Sequence, residues 1–194
     1  MTLRLGARMN SAEEFERLAL PHLKAAYQLA YALVRKPAEA EDAVQDSYLQ
    51  AFRAREQFRG ESFRAWFLTI VRHVCYRQLQ NRKRAFNVVS LDEARVGARS
   101  DDDFERQFAS DAPSPEDHAI HSADVQLLRR VLFQMPPALR EILELRELEE
   151  LSYQEISQVI GAPVGTVMSR LSRARAELLR LCTLDQKQDS KNGL

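Results

Sequence analysis

Two stretches of the chain combine arginines with side chains that can contact nucleic acid. Residues 59–84 carry 7 basic and 1 acidic side chains, and residues 163–182 carry four arginines beside Glu177 as the single acid. Basic side chains concentrated on one surface can bind phosphates, even in a chain of 194 residues whose formal net charge is zero. The charge distribution therefore indicates two phosphate-contacting surfaces that are far apart in sequence.

The first basic stretch interleaves its arginines with aromatic residues. Its central part, residues 63–77, has the sequence FRAWFLTIVRHVCYR, and the basic cluster 82–84 follows. Aromatic rings stack on unpaired bases while arginines contact phosphates, so this mixture is typical of binding to single-stranded nucleic acid. Trp66 has a second interpretation, because its apolar neighbours recur at helical spacing and a tryptophan in such a stripe is more often a core residue.

The second basic stretch follows a helix-turn-helix pattern. Ser152 and Glu155 have the spacing of a capping box, and Gly161-Ala162-Pro163 forms a short turn after an apolar helix. A second helix begins near Val164, and such a helix can enter the DNA major groove with serine and arginine at base edges. The side chains predicted on its outward face are Thr166, Met168, Ser169, Ser172 and Arg173.

A helical hairpin with a solvated basic face is the alternative interpretation of this pattern. The capping box, the glycine turn and the one-sided set of arginines together favour DNA binding. The motif alone leaves open whether the protein is a repressor, an activator or a polymerase subunit.

Helices must position these segments, and the apolar spacing predicts helices nearly throughout. A short helix precedes Pro21, a longer one starts near it, and another covers about residues 38–55. The next runs from Phe63 into the basic cluster, and further helices begin near Ser122 and at Pro136-Pro137. Strand-like alternation is absent from the sequence, so the predicted fold class is all-α.

The helical periodicity fails between residues 86 and 121. The stretch 85–121 holds 3 basic and 9 acidic side chains, with one glycine and two prolines, which is typical of a linker. We therefore expect two small helical domains, residues 12–85 and residues 122–182. An acidic flexible linker over 86–121 would join them, and a polar tail over 183–194 would follow.

Composition also indicates the compartment. No apolar run approaches the roughly 18 residues that a membrane-spanning helix needs, and the first ten residues lack the apolar core of a secretory signal. Cys75 and Cys182 are too few for a disulfide framework, and Cys75 is expected to be a buried, inert thiol. These features predict a cytoplasmic protein.

Patterns of catalysis and metal binding are weak in this sequence. Neither GxSxG nor GxxxxGKS/T occurs. His118 and His121 have helical i, i+3 spacing, but no carboxylate pattern accompanies them, so two polar linker histidines are favoured over a metalloenzyme. We expect no catalytic residue, no metal, no cofactor and no small-molecule substrate.

The order of these segments resembles the extracytoplasmic-function group of the sigma-70 family, which are bacterial RNA polymerase sigma factors. Three stretches carry the resemblance: AEDAVQDSYLQAF at 40–52, FRGESFRAWFLTIVRHVCYRQL at 58–79, and LREILELRELEELSYQEISQVIGAPVGTVMSRLSRARAEL at 139–178. With the intervening helices the likeness covers about residues 12–182. All three stretches in this order are far more specific than any one of them.

The resemblance implies a sigma2-like domain followed by a sigma4-like domain that contains the helix-turn-helix. In the family, sigma2 binds the clamp helices of the polymerase β′ subunit and opens the promoter −10 element, while sigma4 binds the β flap and recognises the −35 element. The polymerase performs the chemistry, so the resemblance implies a promoter-specificity subunit and not an enzyme. The implied partners are core RNA polymerase and promoter DNA, with nucleoid association in the holoenzyme.

Site residues follow from their positions in the family's motifs. Asp42, Gln45 and Asp46 fall where the family contacts the β′ clamp helices, and their acids would complement a basic partner. The implied −10 surface comprises Arg59, Trp66, Arg72, His73, Tyr76, Arg77, Arg82, Lys83 and Arg84. The implied −35 surface comprises Thr166, Met168, Ser169, Arg170, Ser172, Arg173 and Arg175.

Two residues depart from the family's pattern. His73 stands where many members have asparagine, and Met168 stands where many have lysine or arginine. Both lie on surfaces that the resemblance assigns to DNA, so the promoter sequence cannot be transferred from relatives.

The family also implies a regulatory partner. An anti-sigma factor, often membrane-anchored, commonly clamps between sigma2 and sigma4 and holds the protein inactive, so such a partner is expected here. The acidic linker matches a segment that runs through the polymerase interior in the family. We hypothesise that its negative charge imitates nucleic acid there until RNA displaces it.

One alternative function stays open at this point. A free-standing helix-turn-helix regulator would use residues 1–85 as a sensor or dimerisation domain and would bind palindromic operators without polymerase. The acidic helix and the aromatic-arginine helix argue against this alternative.

Overall fold

The computed structural model describes residues 11–59, 62–92 and 123–192, and these residues form helices and turns without a strand. The helices are α1 Ala12–Ala19, α2 Leu23–Val34, α3 Pro37–Ala54, α4 Phe63–Asp92, α5 Ala123–Gln134, α6 Pro137–Leu143, α7 Tyr153–Ile160 and α8 Val164–Asn192. Three short turns extend or join them: the 3-10 turns Leu20–His22 and Arg55–Gln57, and the π-helical turn Glu144–Leu148 after α6. The predicted all-α fold class is confirmed.

Local signals set the ends of the first three helices close to where they were expected. Ser11 caps α1, and its Oγ accepts a hydrogen bond from the Glu14 N–H at 3.0 Å. Pro21 lies in the 3-10 turn between α1 and α2, because its ring blocks a continuous helix. Arg35 ends α2 in the left-handed conformation, with φ of 64°, and Pro37 opens α3 at its first position.

Two helices are longer than the sequence predicted. α4 continues to Asp92, beyond the expected domain end at residue 85, and α8 continues to Asn192 through residues expected to form a tail. Neither extension contains a glycine or proline, so no strong helix breaker stops either helix. The rest of the predicted linker, residues 93–121, lies outside the described residues.

An aromatic cluster centres the first unit, which comprises α1 to α4. The fully buried ring of Phe15 meets Tyr48, Phe52 and Phe63 edge-to-face, at centroid distances of 5.1, 5.4 and 5.9 Å. Aliphatic and aromatic side chains of α2 and α4 complete this core: Leu29, Leu33, Phe67, Leu68, Val71 and Val74. The cluster fixes α4 against the three preceding helices.

The second unit, α5 to α8, has an aliphatic core. The other three helices, α5, α6 and α7, each pack against α8. The buried side chains that fill the space between them are Met135, Ile142, Leu145, Leu151, Ile156, Val159, Val167 and Leu171.

The two units pack against each other along a seam, which we define as the contact of α2 and α4 with α6, its π-helical turn and α7. At one end of the seam the Arg35 guanidinium donates to the Met135 carbonyl at 2.8 Å. The rings of Tyr31 and Phe133 meet edge-to-face at 5.8 Å in the same region. The seam brings the aromatic-arginine helix of the first unit against the helix-turn-helix unit.

Chemical labelling of the Cys75 thiol tests the packing of α4. Its thiol is buried as expected, and burial, with a contribution from Glu141, raises the pKa of Cys75 to about 12. Because the thiolate is the reactive form, we expect iodoacetamide to label the half-buried Cys182 first between about pH 7 and pH 9. Mass spectrometry should find label on Cys75 only after urea unfolds the chain.

A Cys182→Ser variant provides the control, because it should take up no label until urea is added. Rapid labelling of Cys75 in this folded variant would contradict the packing of α4.

Candidate polymerase and nucleic-acid interfaces

The outer face of α3 carries the predicted polymerase-binding residues. Asp42, Gln45 and Asp46 are all exposed. The opposite face buries small side chains, which let α3 lie close to α2 and α4: Ala40, Ala43, Ser47 and Ala51. Ser47 satisfies its buried hydroxyl by donating to the Ala43 carbonyl at 2.5 Å. The helix therefore presents an acidic ridge, consisting of the three exposed residues, to solvent.

Leu49 extends this ridge with an apolar side chain. Its side chain is 50% exposed. The packed stripe runs through Val44, Tyr48 and Phe52, and Leu49 lies about 100° around the helix from Tyr48. Periodicity alone does not distinguish an apolar residue next to such a stripe from one inside it.

The outer side of α4 keeps part of the predicted −10 surface in solvent. Four of its side chains are exposed: His73, Arg77, Lys83 and Arg84. Arg82, in contrast, forms an ion pair with Glu39 and ties α4 to α3. Exposed cations along one helix can contact successive phosphates, so this side of α4 suits a nucleic-acid strand.

Trp66 and Arg59, at the beginning of the same surface, are engaged within the first unit. The Trp66 ring lies 5.2 Å from Phe58 and 5.4 Å from Phe63, which agrees with the core interpretation of this tryptophan. The exposed Arg59 guanidinium donates to the carbonyls of Glu56 and Phe58 at 2.5 and 2.9 Å.

The remaining two residues of the predicted −10 surface, Arg72 and Tyr76, contact Glu141 of the second unit. Arg72 Nε donates to Glu141 Oε1 at 2.6 Å, and the Tyr76 hydroxyl donates to Glu141 Oε2 at 2.9 Å. The Arg72 guanidinium also lies over the Tyr76 ring, 4.6 Å from its centroid. Both carboxylate oxygens of Glu141, a residue only 1% exposed, are thus held by the first unit.

Burial controls the electrostatics of this contact. It raises the pKa of Glu141, while the Arg72 charge and the hydrogen bonds from Tyr76 and Arg72 act in the opposite direction. Burial, followed by the charge of Glu141, raises the pKa of Tyr76 above its usual range, so the phenol keeps its proton and donates it. The Arg170 charge also lowers the pKa values of Glu141 and Tyr76, which places this predicted −35 residue beside the seam.

Two more carboxylates of the second unit contact the beginning of α4. Glu149 forms an ion pair with Arg64, and the Glu149 side chain is 7% exposed. Ser62 Oγ donates to Glu155 Oε1 at 3.1 Å. Glu155 was predicted as a capping residue, but the sequence did not indicate that these three carboxylates contact the first unit. Glu141 stands next to an apolar run in the sequence, and that run is buried in the structure. This position could have indicated that the Glu141 carboxylate is buried too.

The predicted capping box at the start of α7 is present. Ser152 Oγ accepts from the Glu155 N–H at 3.2 Å, and Glu155 Oε2 accepts from the Ser152 N–H at 3.0 Å. Gly161 ends α7 at φ of 64°, a conformation that glycine adopts without a Cβ penalty. The Ser157 hydroxyl donates to the Ala162 carbonyl at 2.6 Å. These bonds fix the turn that orients α8.

The beginning of α8 presents most of the predicted −35 surface. Val167 and Leu171 are buried on its inner face. Its outer face exposes Met168, Ser169, Ser172 and Arg173. The serine and arginine side chains can form hydrogen bonds with base edges, and a methionine can contact a thymine methyl group.

Three other predicted −35 residues have different surroundings. The exposed Arg175 donates from Nε and Nη2 to Glu147 Oε1 at 3.1 and 2.7 Å. Thr166 and Arg170 are half-buried. Contacts of these three residues with DNA stay predictions.

Within the part of the chain that the structure describes, no group of three or more histidine, cysteine, aspartate or glutamate side chains could hold a metal ion. The helices described also include none that is long and apolar enough to cross a membrane. His118 and His121 lie outside the described residues.

Comparison with known families assigns the two units separately. Residues 18–85 match the family described as Sigma-70 region 2, and residues 126–178 match the family described as Sigma-70, region 4. The first match covers most of the first unit, and the second covers most of the helix-turn-helix unit.

Individual proteins show the same relationship. The chain is 34% identical over 163 residues to the RNA polymerase sigma-H factor of Pseudomonas aeruginosa, covering 83% of this chain and 82% of that protein. It is 35% identical over 138 residues to the ECF RNA polymerase sigma-E factor of Escherichia coli K12, covering 69% of each.

Solved structures extend the likeness to the fold. The sigma factor RpoE of Bartonella quintana, in complex with the anti-sigma factor NepR, shows 28% identity and a TM-score of 0.67, covering 90% of this chain and 99% of that one. CnrH, in complex with the cytosolic domain of CnrY, shares the fold at 22% identity and a TM-score of 0.60, covering 91% and 92% of the two chains.

A free-standing helix-turn-helix regulator does not account for the region 2 match, so the sigma-factor interpretation is confirmed over that alternative. The chain belongs to the extracytoplasmic-function group of the sigma-70 family and is an alternative RNA polymerase sigma factor.

Proposed function

We propose that this chain directs core RNA polymerase to promoters through surfaces on three different helices. The acidic ridge of α3 binds the β′ clamp helices, α4 binds the −10 element, and the exposed beginning of α8 contacts the −35 element while its unit engages the β flap. The observation that carries the proposal is the separate exposure of the acidic ridge on α3 and the serine-arginine face on α8. Each surface has the charge that its partner requires.

The chain contributes binding energy and the polymerase contributes the chemistry. Bases flipped from the −10 duplex would be captured on α4, offsetting a few kcal/mol of unstacking. His73 and Tyr76 are the rings on this surface that suit stacking, since Trp66 packs against Phe58 and Phe63. This mechanism requires no catalytic group in the chain.

An anti-sigma factor is part of the proposal. The Bartonella quintana relative was solved in complex with one, at 28% identity to this chain. We infer a partner of the same class here, in the cytoplasm where the polymerase acts. Membrane anchoring of that partner and nucleoid association of the holoenzyme are further expectations of the same proposal.

In-vitro transcription tests the proposed function. Purified protein and sigma-free bacterial core polymerase would transcribe a genomic fragment library, and the 5′ ends of the RNA would be sequenced. We expect discrete starts that depend on the protein and share sequences upstream. If the protein neither binds core polymerase nor directs starts, the proposed function is wrong.

The Asp46→Lys substitution tests the polymerase contact in the same assay. Reversing one charge of the acidic ridge should weaken binding to core polymerase and reduce every protein-dependent start, because a lysine opposes a basic partner helix. The matched control is Glu13→Lys, which reverses an exposed carboxylate on α1. Equal core affinity for both variants, measured by fluorescence anisotropy, would refute the assignment of α3.

Arg173→Ala tests the −35 contact. Loss of a base contact should relax discrimination at one −35 position by about 1–3 kcal/mol, measured from start usage on a promoter library with that element randomised. The control is Arg180→Ala, which removes an exposed arginine of the same helix that pairs with Glu177. A loss that is uniform across all −35 sequences would identify Arg173 as a phosphate contact instead.

A further inference from the structure

Met168 differs from its neighbours on the outer face of α8 because it is long and apolar. Its side chain is 55% exposed, while Val167 and Leu171 of the same helix are buried. The other exposed residues at the beginning of this face are small or charged: Gly165, Ser169, Ser172 and Arg173. A ligand that covers this face therefore contacts a large apolar side chain as well as polar ones.

The outer face has small residues along its middle and one long side chain on each border. At about 100° per residue, Gly165, Ser169 and Ser172 lie within about 60° of one another around the helix. Met168 and Arg173 lie on either side of them, about 140° apart. A Cβ added at Gly165 would have no other atom within 4 Å, so the middle of the face is open. A base pair that enters it meets the methionine on one side and the arginine on the other.

The chemistry of the two borders differs. The Arg173 guanidinium, which donates from Nε to the Ser169 carbonyl at 3.4 Å, can also donate to guanine O6 and N7. The Met168 thioether has no hydrogen to donate, so it cannot form that contact. The apolar group that a base offers in the major groove is the C5-methyl of thymine. A lysine or arginine, which many family members have at this position, would favour guanine instead.

We propose that Met168 is a specificity-determining residue that selects a thymine in the −35 element through the C5-methyl group of that base. The inference rests on the proposed function, since it assigns a base preference to the same −35 surface. Contact between the methionine and the methyl group removes both apolar surfaces from water. Burial of one methyl group corresponds to about a fourfold change in a binding constant.

The test changes the side chain at residue 168 in the full-length protein. Wild type, Met168→Ala and Met168→Lys would each be combined with sigma-free core polymerase. The matched control is Leu179→Ala, which truncates another exposed apolar side chain of α8. Leu179 is 69% exposed and lies about 16 Å along the helix from Met168. Far-UV circular dichroism checks that every variant is folded.

The first readout is start usage on a promoter found by in-vitro transcription, with its −35 element randomised. Wild type and Leu179→Ala should enrich thymine at one base pair. Met168→Ala should lose about fourfold of that preference, and Met168→Lys should prefer guanine at the same base pair. A loss in Met168→Ala that is uniform over all −35 sequences would overturn the proposal.

The second readout replaces that thymine by deoxyuridine, which removes the methyl group and keeps the hydrogen-bonding groups of the base. Fluorescence anisotropy would measure the affinity of each holoenzyme for the two promoter fragments. Wild type and Leu179→Ala should bind the deoxyuridine fragment about fourfold more weakly, and Met168→Ala should bind both fragments equally.

The outcomes separate this inference from the proposed function. If wild type binds the two fragments equally, or if Met168→Ala keeps the full difference between them, the selection of thymine by Met168 is wrong while the proposed function stands. Absence of protein-dependent starts for wild type and all variants would overturn the proposed function as well.

Discussion

A buried carboxylate, Glu141, is the constraint on which the arrangement of the two units depends. A charged group that is 1% exposed is costly unless its oxygens are paired. The second unit does not supply these hydrogen bonds, since the donors to Oε1 and Oε2 are Arg72 and Tyr76 of the first unit. The two hydrogen bonds that offset part of the cost of burying Glu141 thus form only when the helix-turn-helix unit lies against α4, which couples the position of that unit to the proposed −10 surface.

Simple local rules position the surfaces that remain exposed. The buried alanines of α3 allow close packing on α2 and α4 and leave the acidic ridge in solvent. The capping box of Ser152 and Glu155, together with Gly161, fixes the turn before α8 and so aims its outer face. Glu155 Oε2 completes the cap, and Oε1 of the same side chain accepts a hydrogen bond from the Ser62 hydroxyl across the seam. One side chain therefore serves both the local fold and the contact between units.

The sequence was sufficient for features that neighbouring residues determine. The helix-turn-helix, its cap, the proline-defined helix starts and the buried Cys75 follow from spacing and propensity, and the structure bears them out. The order of the acidic, aromatic-arginine and helix-turn-helix segments also sufficed for the family. The ends of α4 and α8 were missed, because residues 86–92 and 183–192 contain no glycine or proline, and without such a helix breaker the local sequence does not fix where an exposed helix ends.

Contacts between distant residues were beyond sequence reasoning. The sequence did not indicate that Arg82 pairs with Glu39 or that Arg175 pairs with Glu147, and the predicted DNA contacts of both arginines stay predictions. Nothing in the local pattern of Glu141 specifies that its partners lie 69 and 65 residues earlier in the chain. Such pairings depend on how two complete units pack, which periodicity does not encode.

The most direct test of this account is a double-mutant cycle on Arg72 and Glu141. The total free energy of unfolding would be measured in urea for wild type, Arg72→Gln, Glu141→Gln and the double variant, with circular dichroism as the probe. The account predicts a coupling of about 1–3 kcal/mol, because each single variant leaves a buried charge without its partner. Effects that add to within about 0.5 kcal/mol would show that the two residues do not interact across the seam.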